Sequence, residues 1–353
     1  MSAPDFSLAS DNTAGVCPEA WAALAAANAG CAPSYGDDAF TAEAKRRFAA
    51  VFETECEVFF VFNGTTSNAL ALAACCRAPH ARILCHDCAH IDTDECGAPE
   101  FFTGGAKLQP IAGPGGKLRP ADVARALERG HGVHYPKPAA LSLTQSTEWG
   151  TLYAPEEIRA LADVAHAHGL AVHMDGARFA NAAAALAPGG RSPADLTWRA
   201  GVDVLSFGGT KNGLLTTEAV VFFNRELARD FDYRVKQGGQ LASKLRFAAA
   251  QWSAVLRDSA WLRHAAHANA LARRLADALR PLPGLTLLAD VEVNAVFVEM
   301  APPVHAALTA RGWQFYRFIG EHGYRLMCSW ATTPETVDAF VADTKAVLAG
   351  TAS

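Results

Sequence analysis

Leu170-Ala171-Val172-His173-Met174-Asp175-Gly176-Ala177-Arg178 is the stretch on which the fold turns. An apolar run of strand length stops there on a carboxylate and a glycine. Just upstream, Pro155 opens a helix and Gly169 closes it, the usual proline-first, glycine-after order. Ile158, Leu161, Ala162 and Ala165 share one face of that helix. Residues 202–207 and 219–223 read as further strands downstream. Residues 57–62, 82–85 and 140–144 read as strands upstream, with a helix over 65–76. Short, nearly continuous apolar strands separated by helices predict an α/β fold with a mostly parallel sheet covered on both faces.

The pattern changes after about residue 240. Residues 245–279 read as one long helix or a pair. They are followed by strands over 295–300 and 324–328 and helices near 303–311 and 334–348. This predicts a smaller α+β domain over 246–353 behind an amino-terminal arm and large domain over 1–245. The 353 residues suit two domains at roughly 100–200 residues each.

Composition narrows the function classes. Half the residues are apolar and the net charge is −5, with no basic tract, which argues against a nucleic-acid or anionic-membrane surface. No apolar run approaches the ~20 residues that span a bilayer. The opening Met1-Ser2-Ala3-Pro4-Asp5 lacks the basic and apolar regions of a leader. Nine cysteines, an odd number scattered through a core-rich chain, predict free thiols and a cytoplasmic setting.

Three blocks carry chemistry. In Ser206-Phe207-Gly208-Gly209-Thr210-Lys211-Asn212-Gly213 a lysine follows a strand within a glycine-rich turn. The spacing does not match a P-loop, whereas a buried lysine with a lowered pKa can form a Schiff base. Asp175 precedes Lys211 by 36 residues, about one crossover unit and its second strand, so both can face one crevice at the carboxyl edge of the sheet. Asn63-Gly64-Thr65-Thr66-Ser67-Asn68 at a strand-to-helix junction offers N–H groups and hydroxyls suited to phosphate. Taken singly, each block has an ordinary reading as a surface turn, a capped Asp–Arg pair or a helix cap. Together they fit pyridoxal 5′-phosphate, which needs donors for its phosphate, an anion for its ring nitrogen and an amine for its aldehyde.

With these residues in view, the chain resembles the low-specificity L-threonine aldolases of the aspartate-aminotransferase-like pyridoxal-phosphate fold (fold type I). Within them it resembles the bacterial branch that contains the Pseudomonas-type enzymes and phenylserine aldolase. Matching stretches include Tyr35-Gly36-Asp37-Asp38, Asn63-Gly64-Thr65, Ala89-His90, Asp94-Glu95-Cys96-Gly97-Ala98, His134-Tyr135-Pro136, Asp175-Gly176-Ala177-Arg178 and Phe207–Gly213. The resemblance implies retro-aldol cleavage of β-hydroxy-α-amino acids to glycine and an aldehyde. It implies that Lys211 binds the cofactor covalently, Asp175 pairs with its ring nitrogen and Arg178 with its phenolic oxygen. Gly64 and Thr65 would hold its phosphate, and His90 would stack on the ring. Ser10 and Arg325 would hold the substrate carboxylate. His134 is the first choice for the base at the substrate hydroxyl, with His90 or a water behind it. Tyr35 and the segment from Lys236 to Lys244 are expected to reach a shared site in a homodimer or homotetramer.

Glu148 is assigned no chemistry. Cys85-His86-Asp87-Cys88 invites a zinc site, but no second C-x-x-C exists and no metal is expected. A β-eliminating lyase or racemase would use the same cofactor parts, and a cofactor-holding protein without turnover would keep them too. A nicotinamide dehydrogenase fits least, since no G-x-G-x-x-G follows an early strand.

Overall fold

In the computed structural model, which describes residues 5–130 and 132–351, the apolar runs assemble into a seven-stranded sheet. Its strands are β1 (Glu57–Val61), β2 (Ala81–His86), β3 (Lys107–Ile111), β4 (Lys137–Thr144), β5 (Ala171–Gly176), β6 (Val204–Phe207) and β7 (Glu218–Phe222). The spatial order is β1-β7-β6-β5-β4-β2-β3. The pairs among β2 to β6 and β3 are parallel, and β7 alone runs against both its neighbours. Strands β6 and β7 are buried throughout and β5 nearly so, which is why they read as nearly continuous apolar runs. Met1–Pro4, most of the stretch inspected for a leader, lies outside the described residues.

Helices cover the sheet: α1 (Pro18–Ala27), α2 (Ala39–Phe52), α3 (Gly64–Cys75), α4 (Pro155–Ala167), α5 (Phe179–Leu186), α6 (Arg246–Leu256) and α7 (Ala260–Leu279). The Glu157 carboxylate closes the start of α4 by accepting the Ala154 N–H at 2.7 Å, and Gly169 ends the segment at φ +72°. Its four apolar positions are all buried. Asn63 caps α3 by accepting the Thr66 N–H at 2.8 Å. From Thr66 to Cys75 every residue of α3 is buried, so this helix carries no polar stripe.

The long 245–279 stretch is a pair of helices, broken where Asp258 and Ser259 take φ of +52° and +55°. The main core follows the chain as far as Trp261 and Ala265, and from Leu271 onward α7 packs into a second core. The packing therefore passes from one core to the other inside α7, downstream of residue 245. The second core lies on an antiparallel sheet of β8 (Leu285–Leu287), β9 (Ala295–Met300), β10 (Tyr316–Ile319) and β11 (Gly323–Met327), ordered β10-β11-β9-β8. Helices α8 (Pro302–Ala310) and α9 (Pro334–Thr351) complete it. Among the described residues no helix is long and apolar enough to cross a membrane.

Candidate active site

Thr144, Asp175 and Ser206 are register partners on β4, β5 and β6, which puts Asp175 at the carboxyl edge of the large sheet. Beyond that edge the turns after β5 and β6 touch backbone to backbone. The Gly208 N–H donates to Gly176 O at 2.9 Å. A Cβ on Gly208 would stand 2.3 Å from Ala177 O, and one on Gly209 would stand 2.4 Å from Thr217 O. Only glycine fits at either position. The turn brings Lys211 to a cavity of about 340 Å³, which Gly64, Thr65, Ser67, His90, Asp175 and Glu218 also line.

Burial, helped by the Arg178 charge, lowers the Lys211 amine from its ordinary pKa. That direction frees an amine to attack a carbonyl. Asp175 accepts the Ala177 N–H through Oδ1 at 2.9 Å and Asn68 Nδ2 through Oδ2 at 2.9 Å. The same Asn68 nitrogen donates to Glu95 Oε1 at 2.8 Å, and His90 Nδ1 lies 2.9 Å from that oxygen. The hydrogen bond to Glu95 outweighs burial and raises the His90 pKa. Glu218 lies beneath the lysine turn, where its Oε2 accepts the Gly209 N–H at 2.5 Å. Burial pushes its carboxyl up to about 7.

Anion-binding groups converge from several directions. Gly64 and Thr65, in the N-terminal turn of α3, line the cavity, and the first N–H groups of a helix lack intrahelical acceptors. Ser67 Oγ, in that helix, is buried without a hydrogen-bond partner among the described residues. Arg178 and Arg325 share a small cleft with Glu148 and Ser146. Burial and the neighbouring Arg178 lower Arg325 to about 10, its Nε lacks a hydrogen-bond partner among the described residues, and its guanidinium sits 4.3 Å from the Phe318 ring centroid. Ser10 caps the short turn Asp11–Thr13, accepting the Asn12 N–H at 3.2 Å.

The structure thus gathers Lys211, Asp175, His90, Gly64 and Thr65 around one cavity, with Arg178 and Arg325 in a neighbouring cleft. His134 does not line this cavity within its own chain. It is exposed in the loop before Lys137, at the amino end of β4, whereas the cavity lies at the carboxyl end. Eight strand residues separate the two edges, roughly 26 Å at ~3.3 Å per residue. His134 cannot reach a substrate bound at Lys211 of its own chain. Tyr35 does not line the cavity either: its N–H donates to Ser243 O at 3.1 Å and Lys236 Nζ lies 5.1 Å from its ring centroid. The His86 ring, a candidate ligand, bonds Gly113 O at 3.0 Å and the Cys88 N–H at 3.1 Å. Asp11, Ser67, Asn68, Glu95 and Glu218 gained no role from sequence, although Ser67 and Asn68 fell within a stretch quoted for phosphate.

The donor set fits pyridoxal phosphate on the structure's own terms. An unpartnered hydroxyl and a helix N-terminus suit the phosphate, Asp175 suits the ring nitrogen, and a buried amine suits the aldehyde. Residues 7–303 match the β-eliminating lyase family. The low-specificity L-threonine aldolase of Pseudomonas aeruginosa PAO1 is 55% identical over 96% of this chain and 97% of its own. This chain belongs to the low-specificity L-threonine aldolases of the β-eliminating lyase family. The namesake from Pseudomonas sp. NCIMB 10558 is 52% identical over the same shares of both chains. The threonine aldolase of Leishmania major superposes with TM-score 0.90 at 28% identity, covering 96% of this chain and 98% of that one. At 14% identity, Oryza sativa TDC with PLP and tryptamine shares the fold, with TM-score 0.77 over 96% of this chain and 82% of that one. The aldolase is a carbon–carbon lyase of fold type I, and its cofactor is pyridoxal 5′-phosphate.

Proposed function

We propose that this aldolase reversibly cleaves L-threonine, L-allo-threonine and related β-hydroxy-α-amino acids, phenylserine among them, to glycine and an aldehyde. The observation that carries the reading is the meeting of Lys211 and Asp175 from neighbouring strand ends at one cavity, beside the Arg178–Arg325 cleft. Lys211 would hold the cofactor through its aldehyde carbon, Asp175 through the ring nitrogen and Arg178 through the phenolic oxygen. Gly64 and Thr65, with Ser67, would hold its phosphate, and His90 would stack on the ring. When bound, the cofactor supplies an electron sink for the pair left on Cα.

The chain's own residues select the bond. Arg325 and Ser10 bind the substrate carboxylate, for which a guanidinium fork is the apt partner. A pinned carboxylate fixes rotation about Cα, and that rotation decides which Cα bond opens. His90 takes the β-hydroxyl proton at Nε2, because its Nδ1 faces Glu95.

We further propose a homodimer or homotetramer in the cytoplasm, with Tyr35 and the 236–244 segment reaching a neighbour's site. Tyr35 at 49% exposure, Phe62 at 41% and Tyr233 at 72% support that surface, and nine free cysteines support the compartment. The division into 1–245 and 246–353 remains our reading of its two domains. The test is to incubate the cofactor-loaded protein with L-threonine, D-threonine and L-phenylserine and assay the products. Glycine plus aldehyde is expected from the L substrates. Pyruvate plus ammonia would make it a β-eliminating lyase, the enantiomer alone a racemase, and no product a binding protein.

A further inference from the structure

Four polar side chains form one hydrogen-bonded row at the cavity, Asp175, Asn68, Glu95 and His90, of which Asp175, Asn68 and His90 line it. Asn68 Nδ2 donates to Asp175 Oδ2 at 2.9 Å and to Glu95 Oε1 at 2.8 Å, and Glu95 Oε1 faces His90 Nδ1 at 2.9 Å. Asn68 and Asp175 are each 3% exposed and the Glu95 side chain is fully buried. A single amide nitrogen therefore gives one hydrogen to each of two buried carboxylates and stands between like charges. A buried carboxylate is costly unless a partner answers its charge. For Glu95, the titratable partner within hydrogen-bond reach is His90.

We propose that Glu95 is a positioning residue of the aldol reaction. It keeps the proton of neutral His90 on Nδ1, leaves Nε2 as the acceptor, and stabilises the imidazolium once the substrate proton arrives. Asn68 ties that charge to Asp175, so the base and the partner of the ring nitrogen are electrostatically linked. This rests on reading His90 as the base. In the step, the β-hydroxyl O–H breaks and Nε2–H forms. The oxygen's electron pair closes the aldehyde C=O while the Cα–Cβ pair stays with Cα, and the reverse reaction returns the proton. The logic is that of the carboxylate–imidazole pair in serine hydrolases, where the acid orients the ring and answers its charge without taking the proton.

The acids that face His90 are Glu95, Asp175, Glu148 and Asp94, the last with Oδ2 3.6 Å from Nε2. Asp94 is 84% exposed and screened by water, whereas Glu95 is buried and hydrogen-bonded. Glu95 therefore dominates, and Asp175 and Glu148 push the ring the same way, toward its charged form.

The test uses Glu95→Gln, which keeps shape and one acceptor but removes the charge. Cleavage of L-threonine should fall about 10- to 100-fold in kcat, with KM within about threefold. The acid limb of the kcat profile should move down by about one pH unit, since His90 would lose its proton more readily. NMR titration of the His90 ring in the full chain without cofactor should move the same way. Glu95→Asp keeps the charge and should hold the titration near the wild-type position. If His90→Phe cleaved at the wild-type rate, both the base assignment and this proposal would fall. If His90→Phe were slow while Glu95→Gln moved neither the profile nor the titration, the positioning role alone would fall. Should Glu95→Gln not fold, the Glu95→Asp titration decides, and a displacement of about a unit would overturn the proposal.

Discussion

Arg178 grips Asp11 through two nitrogens, Nε to Oδ2 at 2.8 Å and Nη2 to Oδ1 at 3.0 Å, across 167 residues of sequence. Asn294 Nδ2 adds a third bond to the same carboxylate at 3.2 Å. Burial works against ionising Asp11, yet Arg178, Lys211 and Arg325 together hold it down to about 2. Arg178 stays charged for the converse reason, because the Asp11 carboxylate outweighs its burial. The amino-terminal arm thus fixes the arginine proposed for the cofactor's phenolic oxygen.

Removing Asp11 should leave a buried guanidinium without its partner. Asp11→Ala is expected to cost about 3–5 kcal/mol of stability, as for other broken buried pairs. Calorimetry of the variant should show a lowered Tm, and cofactor titration should show weaker binding.

The two histidines should separate cleanly. His90→Phe should slow cleavage of L-threonine about 10²- to 10⁴-fold, the usual contribution of a general base. His134→Ala, on an exposed loop at the far edge of the sheet, should leave kcat and KM within about twofold of wild type. A large loss in His134→Ala would mean that the loop reaches a site on another copy.

Glu218 gives a pH signature in stability. Its folded-state pKa, about 7, lies above the ordinary value of 4.5, so the folded chain holds a proton that the unfolded chain releases. The stability this contributes is present below about pH 4.5 and is lost as pH rises toward 7. The shift corresponds to a loss on the order of 3 kcal/mol. Glu218→Gln should remove this trend, so its Tm relative to wild type should rise between pH 5 and pH 8. Parallel Tm curves for the two proteins would show that the carboxyl does not titrate in that window.

Much of this was legible in the residues. The central strands announced themselves because burial on both faces favours nearly continuous apolar runs, as in β5, β6 and β7. The strands that escaped notice were β3, β8 and β10, at sheet edges where most residues are exposed or half-buried and the apolar signal is thin. The convergence of Lys211, Asp175 and Gly64 on one cavity was readable because strand-end turns carry their own glycine and polar signature. The placement of His134 was not legible, because residue type says what a side chain can do but not at which end of its strand it stands. Asp11, Asn68 and Glu95 acquire roles only through contacts that join distant segments, such as the 107 residues between Asn68 and Asp175.

Every proposed step depends on the amine of Lys211 as the cofactor's covalent anchor. The direct measurement is borohydride reduction of the cofactor-loaded protein, digestion and mass mapping. A pyridoxyl adduct on the peptide bearing Lys211, absent from Lys211→Ala, is the result expected. An unmodified Lys211 with the adduct on another lysine, or with none anywhere in the chain, would contradict it.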